Sequence, residues 1–211
     1  MTDTEQVILA IESAICGGSI SLLKNGREIA NWIGTSNVSK AEDLLVNIDA
    51  LLTANNISRH EIDLIAVSAG PGSFTGIRIG LATALGLKAG LGIKMSSESA
   101  LKAMVYATTA AQHVIAAVPA GRNSVCLQKF QIIENEVISL DQPRTLADEH
   151  FFEFLKEENE QNFILHSSLF ERCNPSQKIL NFGANIAQSI GKVCTRHPGH
   201  VTEPLFISKS F

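Results

Sequence analysis

The chain is short of charge. Only 18% of its 211 residues are Asp, Glu, Lys or Arg, below the usual quarter. Neither half is basic: residues 1–105 carry 8 Lys and Arg against 10 Asp and Glu, and residues 106–211 carry 9 against 11. That excludes an autonomous nucleic-acid binder, which gathers cations on one face. A role on RNA would leave most phosphate contacts to another molecule. The longest apolar span, residues 77–93, is broken by Arg78 and Lys88, and leaves no run of about 18 uncharged residues for a membrane helix. The opening MTDTEQ lacks the basic and apolar regions of a signal peptide. Cys16, Cys126, Cys173 and Cys194 form no CxxC pair, so the expectation is a cytoplasmic protein with reduced thiols. What the chain has is apolar mass, 45%, enough for a real core with surface left to bury against a partner.

The order of elements is regular. Residues 7–12 (VILAIE) and 19–23 (SISLL) read as strands, and Asn25-Gly26 between 24 and 27 as a hairpin turn. A third strand follows over 28–33. Ser39-Lys40-Ala41-Glu42 fits a capping box, and Leu44, Ile48, Leu51 and Leu52 recur at helical spacing, predicting a helix over 39–55. A strand over 63–68, a helix over 77–91 and an alanine-rich helix from Ser97 to about residue 108 complete the first half. The second half repeats the plan, with strands over 114–118, 124–133 and 136–140, an acidic helix over 146–158, a strand over 163–166 and a helix over 182–193. A duplicated βββαβα order is the α/β plan of the actin-like ATPase (ribonuclease H-like) superfold. It predicts two lobes, residues 1–108 and 109–211, with the C-terminal segment free to pack back on the first. In that plan, nucleotide phosphates lie between the first hairpins of the two lobes.

Residues 68–81, SAGPGSFTGIRIGL, resemble a phosphate loop, but the spacing fits neither known template. A P-loop needs Gly-Lys-Ser/Thr after four intervening residues, and a dinucleotide fingerprint needs GxGxxG. Here Gly70 and Gly76 are separated by five residues and Ile77-Arg78 follows. Two uses of the glycines stand: free amides at a helix N-terminus for an anion, or a tight architectural turn. The next helix contains Gly80, Gly86 and Gly90, each costing about 1 kcal/mol relative to Ala. Gly76, Gly80 and Ala84 form a small-residue stripe that packs within the lobe or forms a seam with another protein.

Residues 70–84, GPGSFTGIRIGLATA, closely resemble the signature of the TsaB (YeaZ) family, and residues 8–13 with 19–22 resemble that family's first hairpin. The resemblance covers roughly residues 7–93. It implies the actin-like fold and a non-catalytic subunit that dimerises with TsaD, a relative carrying the metal and the transferase site. With the ATPase TsaE, that assembly attaches a threonylcarbamoyl group to an adenosine beside the anticodon of tRNA, which the subunit reaches indirectly. Alone, such a subunit is expected to form a homodimer. The implied partner surface is made by the two first-lobe helices, here Leu44, Ile48, Ile77, Gly80, Leu81, Ala84 and Leu85, so Gly80→Leu is expected to abolish pairing and leave the monomer folded. Glu12 stands where the family has Asp, Lys40-Ala41 where it has His-Ser, and residues 118–123 where its second lobe opens with an Asp-Ala-Arg-like stretch.

An actin-like ATPase needs a carboxylate in each first hairpin. Glu12 offers one in the first lobe, or simply accepts hydrogen bonds within the hairpin, whereas Pro119 stands in the second with no acid between Val114 and Gln131. Glu12, Ser13, Gly70 and Gly72 are therefore expected to be vestigial nucleotide loops that bind ATP weakly and hold no cofactor stably. Among six histidines none forms His-x-x-x-His, so no metal set and no catalytic residue is assigned. The alternatives are an actin-like ATPase or kinase, and a glycoprotease-like peptidase.

Overall fold

The computed structural model describes residues 5–34, 43–108, 112–158, 161–173, 178–196 and 198–205. The capping box at Ser39–Glu42 and residue His197 lie outside them.

The first half begins with β1 (Val7–Glu12), β2 (Ser19–Lys24) and β3 (Arg27–Ile33). The β2–β3 turn has Asn25 at φ 53° and Gly26 at φ 74°, the two left-handed positions that a tight hairpin requires. Then come α1 (Leu44–Ala54), β4 (Leu64–Ser68), α2 (Phe74–Leu91), β5 (Lys94–Glu98) and α3 (Ala100–Tyr106). Ser73 caps α2 and Gly92 ends it in the left-handed conformation. The second half has β6 (His113–Pro119), β7 (Ser124–Ile133), β8 (Glu136–Ser139), β9 (Arg144–Ala147), α4 (Asp148–Glu157), β10 (Phe163–His166), the single turn α5 (Ser167–Phe170), β11 (Ile179–Gly183) and α6 (Ile186–Arg196).

The first sheet runs β3-β2-β1-β4-β5 and the second β8-β7-β6-β10-β11, with β9 pairing β7 beside β8. Strand for strand the two orders are the same, which establishes the duplicated, two-sheet α/β architecture. Against the expected βββαβα, the first unit has one further strand, β5, and the second has two, β9 and β11. β5 (KMSSE) is polar in sequence yet buried, because β4 pairs one edge and the C-terminal segment covers the other: Gly199 N and Thr202 N donate to the Ser96 and Ser97 hydroxyls at 2.6 and 2.9 Å. β11 occupies residues assigned to the start of the last helix, and that helix begins only after the left-handed Gly183.

β1 shows how the core divides. Ile8 and Ala10 face one way, into a cluster with α3, α6 and β6; Leu9 and Ile11 face the other, into a cluster with α1 and α2. Phe151, Leu155 and Phe163 centre a third cluster, beneath α4. α3 and α6 therefore lie between the sheets. α6 packs on β1 and β2 of the first half, with Gly191 set directly against Leu23 and Ala10. Among the described residues no helix is long and apolar enough to cross a membrane.

Candidate functional site

The C-terminal ends of β1, β4 and β5 bring three segments together: the loop of residues 13–18, the glycine loop of residues 69–73, and Glu98-Ser99. The first loop turns through Cys16, Gly17 and Gly18, all at positive φ. Glu12 holds it. The carboxyl is buried, and one oxygen accepts from Ala14 N at 2.6 Å and Ile15 N at 3.1 Å. Burial outweighs those two amides and lifts the group to about 8. Glu12 thus caps the amides of the loop and holds its proton more tightly than an ordinary carboxyl.

The glycine loop is stitched to that first loop. Ser73 N donates to Ala14 O at 2.8 Å, and the Ser13 hydroxyl donates to Gly76 O at 2.8 Å. A methyl group at Gly72 would lie 2.7 Å from Ala14, and one at Gly76 would strike the Ser13 carbonyl. Gly70 is held by Ser68 Oγ, which accepts its amide at 3.1 Å, and its carbonyl accepts from Ala100 N at 2.7 Å. Gly70 and Gly72 thus come together with Glu12 and Ser13. The chain itself occupies the space that these glycines open: residues 13 and 14 at Gly72 and Gly76, and the Ile77 side chain with the Leu205 carbonyl at Gly70.

The expected partner surface needs correction. Leu44, Ile48, Ile77, Gly80 and Ala84 are all buried within the chain, in the packing of α1 and α2 against the first sheet. A side chain at Gly80 would collide with Ser13 Oγ. Helical spacing identifies residues that share a face, and here the face meets the chain's own sheet. Leu81 is half-buried and Leu85 exposed. The outward apolar positions are Leu45 (56% exposed), Val46 (66%), Phe74 (50%) and Leu85 (51%). Arg78 lies 3.9 Å above the Phe74 ring. The signal for Leu45 and Val46 was present in the sequence: they are apolar but fall outside the Leu44, Ile48, Leu52 stripe.

Across the cleft the Cys16 thiol donates to Ser168 Oγ at 3.5 Å, and Ser168 Oγ lies 2.9 Å from His166 Nδ1. Ser168 N donates to the same nitrogen at 3.3 Å, which makes Nδ1 the acceptor and places the proton on Nε2. Burial lowers His166 to about 4 and raises Cys16. Both groups are neutral at pH 7, so nothing draws the proton from the thiol and the chain of contacts is a polar tie between the halves. On the second lobe's first hairpin Ala120 N donates to Ser124 O, with no carboxylate in the turn. Among the described residues no three His, Cys, Asp or Glu gather as a metal set.

The profile of a family described as "TsaD: tRNA N6-adenosine threonylcarbamoyltransferase" matches residues 37–199. Relatives named "tRNA threonylcarbamoyladenosine biosynthesis protein TsaB" are 32% identical over 133 residues in Escherichia coli (62% of this chain, 57% of that protein) and 40% identical over 88 residues in Buchnera aphidicola (42% and 39%). The matched stretch thus spans about half the length of these relatives. Among solved structures, YeaZ from Pseudomonas aeruginosa superposes with a TM-score of 0.71 at 21% identity, over 96% of this chain and 100% of that one. The ethanolamine utilization protein EutJ from Carboxydothermus hydrogenoformans gives 0.50 over 89% and 88%.

Proposed function

Because the chain belongs to the TsaB (YeaZ) family, relatives of TsaD, we propose that it acts in tRNA threonylcarbamoyladenosine biosynthesis as a non-catalytic subunit, docking a TsaD-like catalytic partner on the outward faces of α1 and α2. The observation that carries this reading is the exposed apolar set Leu45, Val46, Phe74 and Leu85 on two helices that cover one face of the first sheet. Large exposed side chains grouped in this way mark interaction surfaces, and an aromatic ring stacked with arginine is a typical anchor.

The packed glycine loop and the absence of an acid between Val114 and Gln131 weigh against an independent ATPase, since phosphoryl transfer depends on positioned charge. The neutral Cys16 and His166 weigh against a peptidase. The subunit accordingly holds no nucleotide stably in its glycine loop, works in the cytoplasm with a TsaE-like ATPase in the same assembly, reaches the modified adenosine of tRNA through its partner, and uses the same surface for a homodimer when alone. The test is gel filtration of the chain with a TsaD-like protein from the same source. Val46→Glu with Leu85→Glu should abolish the complex and the homodimer. Both positions are exposed, so stability should change by less than about 0.5 kcal/mol for each. An intact complex would overturn the assignment of the surface.

A further inference from the structure

The ends of α3 and α6 meet beside the β7–β8 hairpin and the β2–β3 turn, leaving two adjoining hollows of 560 and 400 Å³. Tyr106, Ala107 and Arg196 wall both, so the hollows adjoin at the tyrosine ring and are treated as two arms of one trough. The arms differ in chemistry. The larger is lined by Val105, Ile132 and Val137 and carries the amide of Asn135. The smaller is basic, with Lys192 and Thr195 of α6 added to Arg196. No carboxylate is among the described residues lining either arm. Arg196 sits 4.4 Å over the Tyr106 ring. Lys192 lies one turn earlier on the same helix, and neither cation forms an ion pair among the described residues. A cation in the last turn of α6 balances the carbonyl end of that helix. Arg196 alone meets that need, which accounts neither for a second cation nor for a hollow on each side.

We propose that this trough binds a nucleotide unit, with its planar base in the larger arm and its phosphate in the basic arm. The base would lie against Ile132 and the Tyr106 ring, where the Asn135 amide offers both a donor and an acceptor to its edge. The phosphate takes Lys192 and Arg196, the charge-assisted pairing such groups favour. The volumes fall within the roughly 300–1,000 Å³ of small-molecule sites. The trough shares no residue with the glycine loop or with α1 and α2, and the inference does not depend on the subunit role. The unit is either a free nucleotide or one residue of an RNA strand.

Tyr106 is the single tyrosine of the chain, so fluorotyrosine labelling of the whole protein gives one fluorine resonance located in the trough. The labelled chain is titrated with adenosine monophosphate, with a short oligoadenylate RNA and with inorganic phosphate. The expected result is a saturable shift with a nucleotide probe, weakened about tenfold in Lys192→Ala and not reproduced by phosphate. Saturation by the oligonucleotide at about a tenfold lower concentration assigns the unit to RNA; saturation by the monophosphate at equal or lower concentration assigns it to a free nucleotide. The proposal is overturned if neither nucleotide probe gives a saturable shift, if phosphate alone gives the full shift, or if Lys192→Ala leaves the curve unchanged. Lys192 is exposed, so this variant keeps the fold even where an Arg196 variant would not.

Discussion

Ser13 Oγ fills the space that a side chain at Gly80 would occupy. The hydroxyl cannot simply rotate away, because it donates to Gly76 O one turn earlier on the same helix. Gly80→Ala should therefore destabilise the chain by about 1–3 kcal/mol from overpacking, partly offset by the roughly 1 kcal/mol gained in helix propensity. Gly80→Leu should prevent folding rather than block pairing selectively. Urea denaturation followed by circular dichroism reads both; a stably folded Gly80→Leu chain would show that α2 is free to lift from the first loop.

Gly86 and Gly90 behave oppositely. They sit in the same helix, but nothing lies within 4 Å of a methyl group added at either. Gly86→Ala and Gly90→Ala should each raise stability by about 0.5–1 kcal/mol, as a higher urea midpoint with an unchanged slope. A loss of stability would mean that these two glycines serve a contact absent from the single chain.

Glu12 makes stability depend on pH in a stated direction. Burial raises its pKa from the ordinary 4.5 to about 8 in the folded state. Between those values the folded state holds a proton that the unfolded state has lost, so stability falls as pH rises. Its contribution is complete below about 4.5 and gone above about 8. Glu12→Gln keeps an acceptor for the Ala14 and Ile15 amides and removes the titration. The variant should match the wild type near pH 4 and exceed it near pH 8 in thermal midpoint. Parallel pH curves for the two proteins would rule out a buried, protonated Glu12.

The thiols should divide into two pairs. Burial pushes Cys126 and Cys194 up to about 12, and both are enclosed in the central cluster. Cys16 and Cys173 are only half-buried. A disulfide reagent at pH 8 should label Cys16 and Cys173 slowly in the native protein, and the other two only on unfolding. Mass spectrometry of the labelled peptides checks the assignment; native labelling at Cys126 would contradict the core.

Much of the fold was legible because it rests on local rules. Asn25-Gly26 announced its hairpin through two left-handed positions, and β1 and β4 through short apolar runs. β5 was not legible, since KMSSE is buried by hydrogen bonds from residues about a hundred positions later. At the candidate site, the glycine spacing departs from a P-loop, and Glu12 with Ser13 was singled out. The orientation of the Gly76, Gly80, Ala84 stripe was not legible, because periodicity says which residues align and not what they meet. Nor was the contact of Cys16 with Ser168, whose partners are 152 residues apart. Glu28 gave no signal either. It accepts from Ser21, Asn31, Asn185 and Gln188 and anchors the start of α6.

Glu28→Ala should consequently loosen that anchor. Four donors lose a charged acceptor, and each such bond is worth about 1.5–3 kcal/mol at most, less where water replaces it. We expect a loss of about 2–3 kcal/mol and faster amide exchange at the start of α6, with Glu28→Gln intermediate. Unchanged exchange there would show that apolar packing alone holds the helix.

The placement of α3 and α6 has a consequence for inheritance. Each half lends its last helix to the other's sheet: α6 covers β1 and β2, while α3 lies on β6 and β8. The halves are exchanged pieces, as in two swapped subunits joined into one chain. Neither could be shuffled into another gene or expressed by itself without baring the sheet face that the missing helix covers, which ties the two halves to a single chain.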